Sequence, residues 1–202
     1  MTETAAAETY TAPPPAPGAD RYPSLDFADS AIVLPGGHRV DLLGTPESAT
    51  RWLVERGLAP EGARLWEFCA ERLRSLRAPV RDLIATRVDG GPAPEEALAA
   101  VNEALTRVPT APLLRWDAAE GPYRAVAHPA TEVVDHALGI LAADAADLLT
   151  SPDAERLAAC GSSPCDRYLL RTHPRRHWCS VRCGDRARAA RAYARRTRTG
   201  TD

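Results

Sequence analysis

The chain has 202 residues, 45% hydrophobic and 26% charged, which suits one medium domain with a small appendage. No run approaches the roughly 20 apolar residues of a helical membrane span, so a membrane-embedded protein of that kind is excluded. The formal net charge of −2 hides a division: residues 160–202 hold 11 Arg against 3 Asp, or +8, and residues 1–159 hold 14 Arg against 24 acids, or −10. A basic tail on an acidic body implies two tasks, the tail seeking phosphates and the body avoiding them. All 25 basic residues are Arg; with so much Ala and Pro this reflects a GC-rich coding bias and by itself carries little functional weight.

Residues 1–21 are mainly Ala, Thr, Glu and Pro, including the run from Ala12 to Gly18, and are predicted to be disordered because they cannot bury a core. Order is expected from Tyr22. Leu25-Asp26-Phe27-Ala28 is short and apolar on one side, and Gly36 to Leu43 reads as a turn followed by a short strand. Thr45-Pro46-Glu47 predicts a helix start: a hydroxyl N-cap, Pro in the first turn and an acid at the positive end of the dipole. Ala49, Trp52 and Leu53 form its inner face, and Gly57 stops it. Leu65, Cys69, Leu73, Leu76, Val80 and Leu83 recur in steps of three and four, a longer helix that Pro79 should kink or split. A third helix runs from about Pro94, with Ala97, Leu98, Val101, Ala104 and Leu105 inward.

The period then changes. Leu113 to Asp117 and Tyr123 to Ala127 flank a turn and predict a β-hairpin. A fourth helix follows His128-Pro129, with Val134, Leu138, Leu141, Ala145 and Leu148 on one stripe. A short helix from Pro152 to Ala159 is expected to deliver the chain to Cys160. The predicted fold is predominantly α (α+β): a helical domain over residues 22–150 with a small β-hairpin, then a zinc-binding module and basic helix over 156–198. Short connections predict antiparallel packing of the first helices.

Four of the five cysteines, Cys160, Cys165, Cys179 and Cys183, are spaced C-x4-C-x13-C-x3-C. Two close pairs around a short loop present four thiolates to one tetrahedral zinc. Disulfides or a redox pair are the competing reading. The opening Met1-Thr2-Glu3-Thr4 has neither a cationic start nor an apolar stretch, so a reducing, cytoplasmic setting is expected, where paired cysteines are more often metal ligands. His173 and His177 lie between the pairs, and either is an alternative ligand. Cys69, alone in a helical stretch, reads as a small buried hydrophobe. Four thiolates leave no open position, so the zinc is structural, one per chain, and supplies most of the stability of a segment of about 40 residues. Trp178, beside a ligand, is expected to pack on the zinc core.

From about Gly184 to Arg196 an Ala-rich, Arg-rich helix is predicted. Arg182, Arg186, Arg188, Arg191, Arg195 and Arg196 are candidate phosphate or guanine contacts on duplex DNA, with Arg175 and Arg176 gripping the backbone from the loop. Arg188, Arg191 and Arg195 share one helix face. About six phosphate contacts predict a slope of log K against log salt near about −5. The acidic body is left for dimerisation or for binding a small effector. A protein–protein adaptor built on the zinc module is the alternative. Catalysis is not expected: His128, Asp135 and His136 lie close in sequence, but no nucleophile-elbow, zinc-protease, P-loop or dinucleotide motif is present.

Trp178-Cys179-Ser180, then Cys183-Gly184-Asp185-Arg186 with Arg188, resembles the CGNR zinc finger, whose usual string is W-C-S-x-x-x-C-G-N-R-x-K. Leu25-Asp26-Phe27-Ala28-Asp29-Ser30 resembles the L-D-F-A-N-T opening of the associated ABATE domain. Leu42-Leu43 before Trp52-Leu53, and Val101-Asn102-Glu103-Ala104-Leu105, fit that domain too. The resemblance covers about residues 22–198 and implies a bacterial, stress-related transcription regulator. The chain departs from the pattern at four points. The second cysteine pair is one residue closer, Asp185 stands for Asn, Arg188 for Lys, and Asp29 for Asn. Asp185 is expected to cap the following helix, to pair with Arg182 or Arg186, or to alter base specificity.

Overall fold

The computed structural model describes residues 13–107, 113–119, 121–125 and 133–199. Helix α1 (Pro23–Ala28) starts on a proline, whose fixed φ suits a first turn, and buries Leu25, Phe27 and Ala28 completely. Strands β1 (Ala31–Val33) and β2 (Arg39–Asp41) pair antiparallel with Ile32 opposite Val40. Helix α2 (Pro46–Glu55) has the expected cap at Thr45 and more: Thr45 Oγ1 accepts the Ser48 N–H at 3.2 Å, and Ser48 Oγ accepts the Thr45 N–H at 3.0 Å. It buries Ala49, Trp52 and Leu53.

Helix α3 (Glu67–Asp89) is one element of 23 residues, with Pro79 inside it. The proline does not split it, because Val80, Leu83 and Ile84 beyond it are anchored in the same core as Leu73 and Leu76 before it. Gly90, at φ 76°, ends the helix in the left-handed conformation and donates its N–H to the Thr86 carbonyl. Helix α4 (Glu95–Arg107) follows. Strands β3 (Leu113–Asp117) and β4 (Gly121–Ala125) form the hairpin, with Leu114 opposite Arg124 and Trp116 opposite Pro122. The second strand begins at Gly121, two residues before the expected Tyr123; Val126, Ala127 and His128 lie outside the described residues.

Helix α5 (Val133–Thr150) is the centre of the body, packed on α1, α3 and α4, with Ala137, Leu141, Ala142, Ala145 and Leu148 fully buried. The helix expected over residues 152–159 is instead a 3-10 turn (Pro152–Arg156) followed by strand β5 (Leu157–Ala159). Leu157 is drawn into the main core, and an extended chain there lets β5 pair antiparallel with β6 (Tyr168–Leu170). Helix α6 (Val181–Thr199) ends the described chain.

Strand β6 is the seam of the molecule. Leu170 belongs to the main core and Leu169, on the other face, to a small second cluster with Cys160, Cys179 and Cys183. The second cluster also takes in Ala16, 3% exposed. Residues 13–21 therefore depart from the expected disorder, and residues 1–12 lie outside the described ones. Apolar burial alone does not hold this strap. The Pro17 carbonyl accepts the Leu170 N–H at 2.8 Å and the Pro14 carbonyl accepts from Arg167 Nη1 at 3.0 Å. Proline lacks an N–H donor but keeps its acceptor.

Candidate metal centre

The four cysteines come from two turns and a helix end. Cys160 follows β5 and donates its N–H to the Arg167 carbonyl, which closes the first turn at 2.8 Å. Cys165 donates to the Ser162 carbonyl at 2.9 Å within the Gly161 to Pro164 turn. The loop returns with Gly161 donating to the His177 carbonyl at 2.8 Å, a close approach: a β-carbon on Gly161 would sit 3.3 Å from that oxygen. Cys183 lies in the first turn of α6, where Ser180 Oγ accepts its N–H at 3.2 Å. The helix thus begins at Val181 rather than near Gly184, and the positive end of its dipole faces the sulfurs.

All four sulfurs lie within 4.8 Å of one another. Cys179 Sγ is 3.6 Å from both Cys165 Sγ and Cys183 Sγ. A tetrahedral zinc with Zn–S bonds of about 2.3 Å separates its sulfurs by about 3.8 Å, so this donor set fits one zinc. The shorter second pair fits because Cys179 stands just before the helix and Cys183 inside it. Neither His173 nor His177 joins the ligand group, and His173 Nδ1 instead accepts the Arg175 N–H at 3.1 Å. Such crowding is unfavourable without a cation: hydrogen bonds to Cys160 from Cys165 and Cys179 pull the Cys160 thiol down, and the same contact with Cys160 pushes Cys165 and Cys179 up. A bound zinc removes that conflict by stabilising all four thiolates.

The surrounding groups are cationic or apolar. The Cys179 N–H points at Cys160 Sγ at 3.4 Å, Arg186 Nη2 at Cys183 Sγ at 3.3 Å, and Arg167 Nη1 lies 4.0 Å from Cys179 Sγ. Such donors orient the ligands and offset the cluster's excess negative charge. Trp178 packs on this cluster, as expected, and fits against Gly184, where an added β-carbon would lie 3.3 Å from the indole.

The arginines expected to face DNA do not all share one environment. Arg186 is half-buried and fastened to the module, donating to the Ser162 carbonyl at 2.9 Å and the Ser163 carbonyl at 3.0 Å. Arg175, Arg182, Arg188, Arg191, Arg195 and Arg196 are exposed, and Arg176 is half-buried. The Arg188 and Arg191 guanidinium groups lie 5.7 and 5.5 Å from the Trp178 ring centre. Asp185 pairs with Arg188 at 2.5 Å, one helical turn on, rather than with Arg182 or Arg186. It cannot cap the helix, which starts four residues earlier.

Sequence reasoning missed Arg167. It is 2% exposed, and its Nε faces Asp29 Oδ2 at 3.4 Å, linking body to module. Its position between Cys165 and β6 was the only available signal. Of the residues weighed for catalysis, Asp135 is paired with Arg72, whose hydrogen bonds hold its carboxyl below the usual range, and His136 is 1% exposed.

Together these features define a helical body joined through a shared strand to a four-cysteine zinc finger. Residues 22–152 match the ABATE family, described as "Putative stress-induced transcription regulator", and residues 156–196 match the CGNR zinc finger. The chain belongs to the ABATE family and carries a CGNR zinc finger whose four cysteines form the site for one zinc ion. No curated protein matches it. Neither family description names an enzymatic activity. Among the described residues no helix is long and apolar enough to cross a membrane.

Proposed function

We propose that this protein regulates transcription in the bacterial cytoplasm by binding duplex DNA in a zinc-dependent manner. The observation that carries this reading is the setting of α6. Its first turn is fixed to the sulfur cluster through Cys183, while Arg182, Arg188, Arg191, Arg195 and Arg196 are exposed along 19 residues of helix. A rigid basic helix of this kind suits a major groove. Arg175 and Arg176 approach from the preceding loop. Arg186 acts from within, holding the Ser162–Ser163 turn, rather than by direct contact. The body serves dimerisation or effector sensing. Exposed Leu114 and Trp116 on one face of the hairpin, 73% and 75% accessible, support a homodimer.

A second reading has its own support. Val181 and Tyr193 on α6 are 78% and 66% accessible, which favours an adaptor that docks α6 on a protein. The two readings separate when zinc-loaded protein selects duplexes from fragmented host DNA at about 150 mM salt, a level that screens weak nonspecific contacts. Recovery of a shared motif, lost when Cys179 and Cys183 are both changed to Ser, supports the regulator. Recovery of random DNA, or of none, rejects it in favour of the adaptor.

A further inference from the structure

Between α1, α2, β1 and the proline strap lies a cleft of about 360 Å³. Four buried polar groups line it: Asp29, Trp52 and Arg167, each 2% exposed, and Asp26, which is paired with Arg56. Their hydrogen bonding is incomplete. Among the described residues nothing accepts from the Trp52 indole N–H. The ring cannot readily turn away, with Phe27 at 5.7 Å and the Arg56 guanidinium stacked 4.2 Å from its centre. Asp29 Oδ1 is used, accepting the Tyr168 N–H at 2.9 Å, but Oδ2 has only the Arg167 Nε charge at 3.4 Å, too long for a good hydrogen bond. Buried donors and acceptors are rarely left unmet, since each costs stability. Here the residues that carry the unmet donor and the unmet acceptor, Trp52 and Asp29, line the same space.

The lining also says what kind of molecule belongs there. With Asp29 ionised, as it is above about pH 7, its formal charges cancel: Arg51, Arg56 and Arg167 against Asp26, Asp29 and Glu55. The remaining wall includes Ile32, Leu42 and the Pro13–Pro15 run, which is apolar. A net anion or cation gains nothing from a balanced site and loses its hydration on entry. The volume is at the small end of ligand pockets, which run from about 300 to 1,000 Å³.

We propose that this cleft binds a small uncharged carboxamide with an apolar body, whose carbonyl accepts the Trp52 indole N–H and whose amide nitrogen donates to Asp29 Oδ2. The proposal rests on reading the body as the effector-sensing half of a regulator. It also explains how such a signal would travel. Asp29 and Trp52 belong to the body, and Arg167 to the zinc finger, where its Nη1 lies 4.0 Å from Cys179 Sγ. A ligand in the cleft touches both.

The test is a nitrogen-15 titration, at pH 8 where Asp29 is ionised, of the zinc-loaded full chain with benzamide and, separately, with benzoate, which has nearly the same shape and a full negative charge. The chain has 4 tryptophans, so the indole N–H resonances are few and are assigned by through-bond spectra of the wild type. Benzamide is expected to shift the Trp52 indole resonance saturably, and benzoate to leave it in place. In Asp29→Asn the side-chain oxygen stays on the Tyr168 N–H and an NH2 replaces Oδ2, turning the acceptor into a donor. Benzamide affinity should then fall by about tenfold, the effect of one unmet hydrogen bond. A Trp52 resonance unmoved by benzamide, or moved equally by both compounds, overturns the proposal. Should Asp29→Asn not fold, the contrast between the two compounds on the wild type decides alone. DNA is absent from this experiment, so failure here leaves the DNA reading untouched, and failure of the DNA selection leaves this site untouched.

Discussion

Asp29 and Arg167 form a charge pair sealed inside the molecule: Asp29 Oδ2 faces Arg167 Nε at 3.4 Å, with the two side chains 0% and 3% exposed. One belongs to the loop after α1 and the other to the zinc finger, 138 positions later. Arg81 on α3 adds a second cation, 3.4 Å from Asp29 Oδ1. The zinc finger is thus joined to the body by buried electrostatics as well as by β6. Removing Asp29 leaves the Tyr168 N–H without its acceptor and Arg167 without its partner, and an unmet buried group typically costs about 1–3 kcal/mol. Asp29→Ala at pH 5, where the folded chain still holds the Asp29 proton, should lower the unfolding free energy of the zinc-loaded chain by that order, measured by urea denaturation. A loss under about 1 kcal/mol, the worth of a surface pair, would show that the pair is solvated in solution.

The same carboxyl makes stability depend on pH. Burial pushes Asp29 from 3.8 up to about 7, against the pull of Arg167, the Tyr168 N–H and Arg81. An unfolded chain ionises this group near 3.8, whereas the folded chain holds the proton until about 7. The folded state therefore binds more protons in between, and stability from this group is full below the lower value and lost as pH rises through the upper one. The stability of wild type relative to Asp29→Asn should fall between about pH 4 and pH 7 and level off above. The zinc thiolates titrate in both proteins and cancel in the difference. A difference that rises with pH would contradict this.

Arg186 and Arg191 should fail in different ways. Arg186 fastens the Ser162–Ser163 turn and contacts Cys183 Sγ, so Arg186→Ala should weaken zinc binding by about 10–100-fold in a competition with a chromophoric chelator. Arg191 lies on the exposed side of α6 over Trp178. Arg191→Ala should leave zinc affinity unchanged, weaken DNA binding across sequences and lower the salt slope by about 1. Equal losses of zinc from both variants would place Arg191 in the metal-holding shell.

Gly18 tests the proline strap. Its φ is 96°, and an added β-carbon would lie 2.7 Å from Leu170. Gly18→Ala should cost about 1–3 kcal/mol by thermal unfolding, from strain and steric conflict together. Gly37→Ala shares the positive φ, 81°, but meets nothing within 4 Å, so it should cost less. Equal effects would show that the strap does not press on β6.

What could be read from the sequence was local. The capped start of α2, the stripe of α3 and α5, and the cysteine spacing each lie within a few residues, where propensity and period act directly. Pairings across long separations left no trace. Nothing marks Arg167 among 25 arginines as the one facing Asp29, or Pro17 as the acceptor for Leu170. The segment after Pro152 has a composition that suits a helix, but Leu157 and the partner strand β6 impose an extended chain. Helix α6 starts ahead of its Ala- and Arg-rich run, and the cap at Ser180 that sets this start shows only in the structure. The cleft beside Trp52 has no sequence signature, since its walls come from four separate segments.

The most direct test of zinc-dependent DNA binding through α6 is duplex binding by fluorescence anisotropy, at several salt concentrations, with zinc-loaded and zinc-stripped chain. The loaded protein should bind with log K falling against log salt at a slope near about −5, stripped protein should lose that binding, and one zinc per chain should restore it. A slope near zero, or binding indifferent to zinc, would contradict the assignment of α6 as a DNA-binding helix held in place by metal.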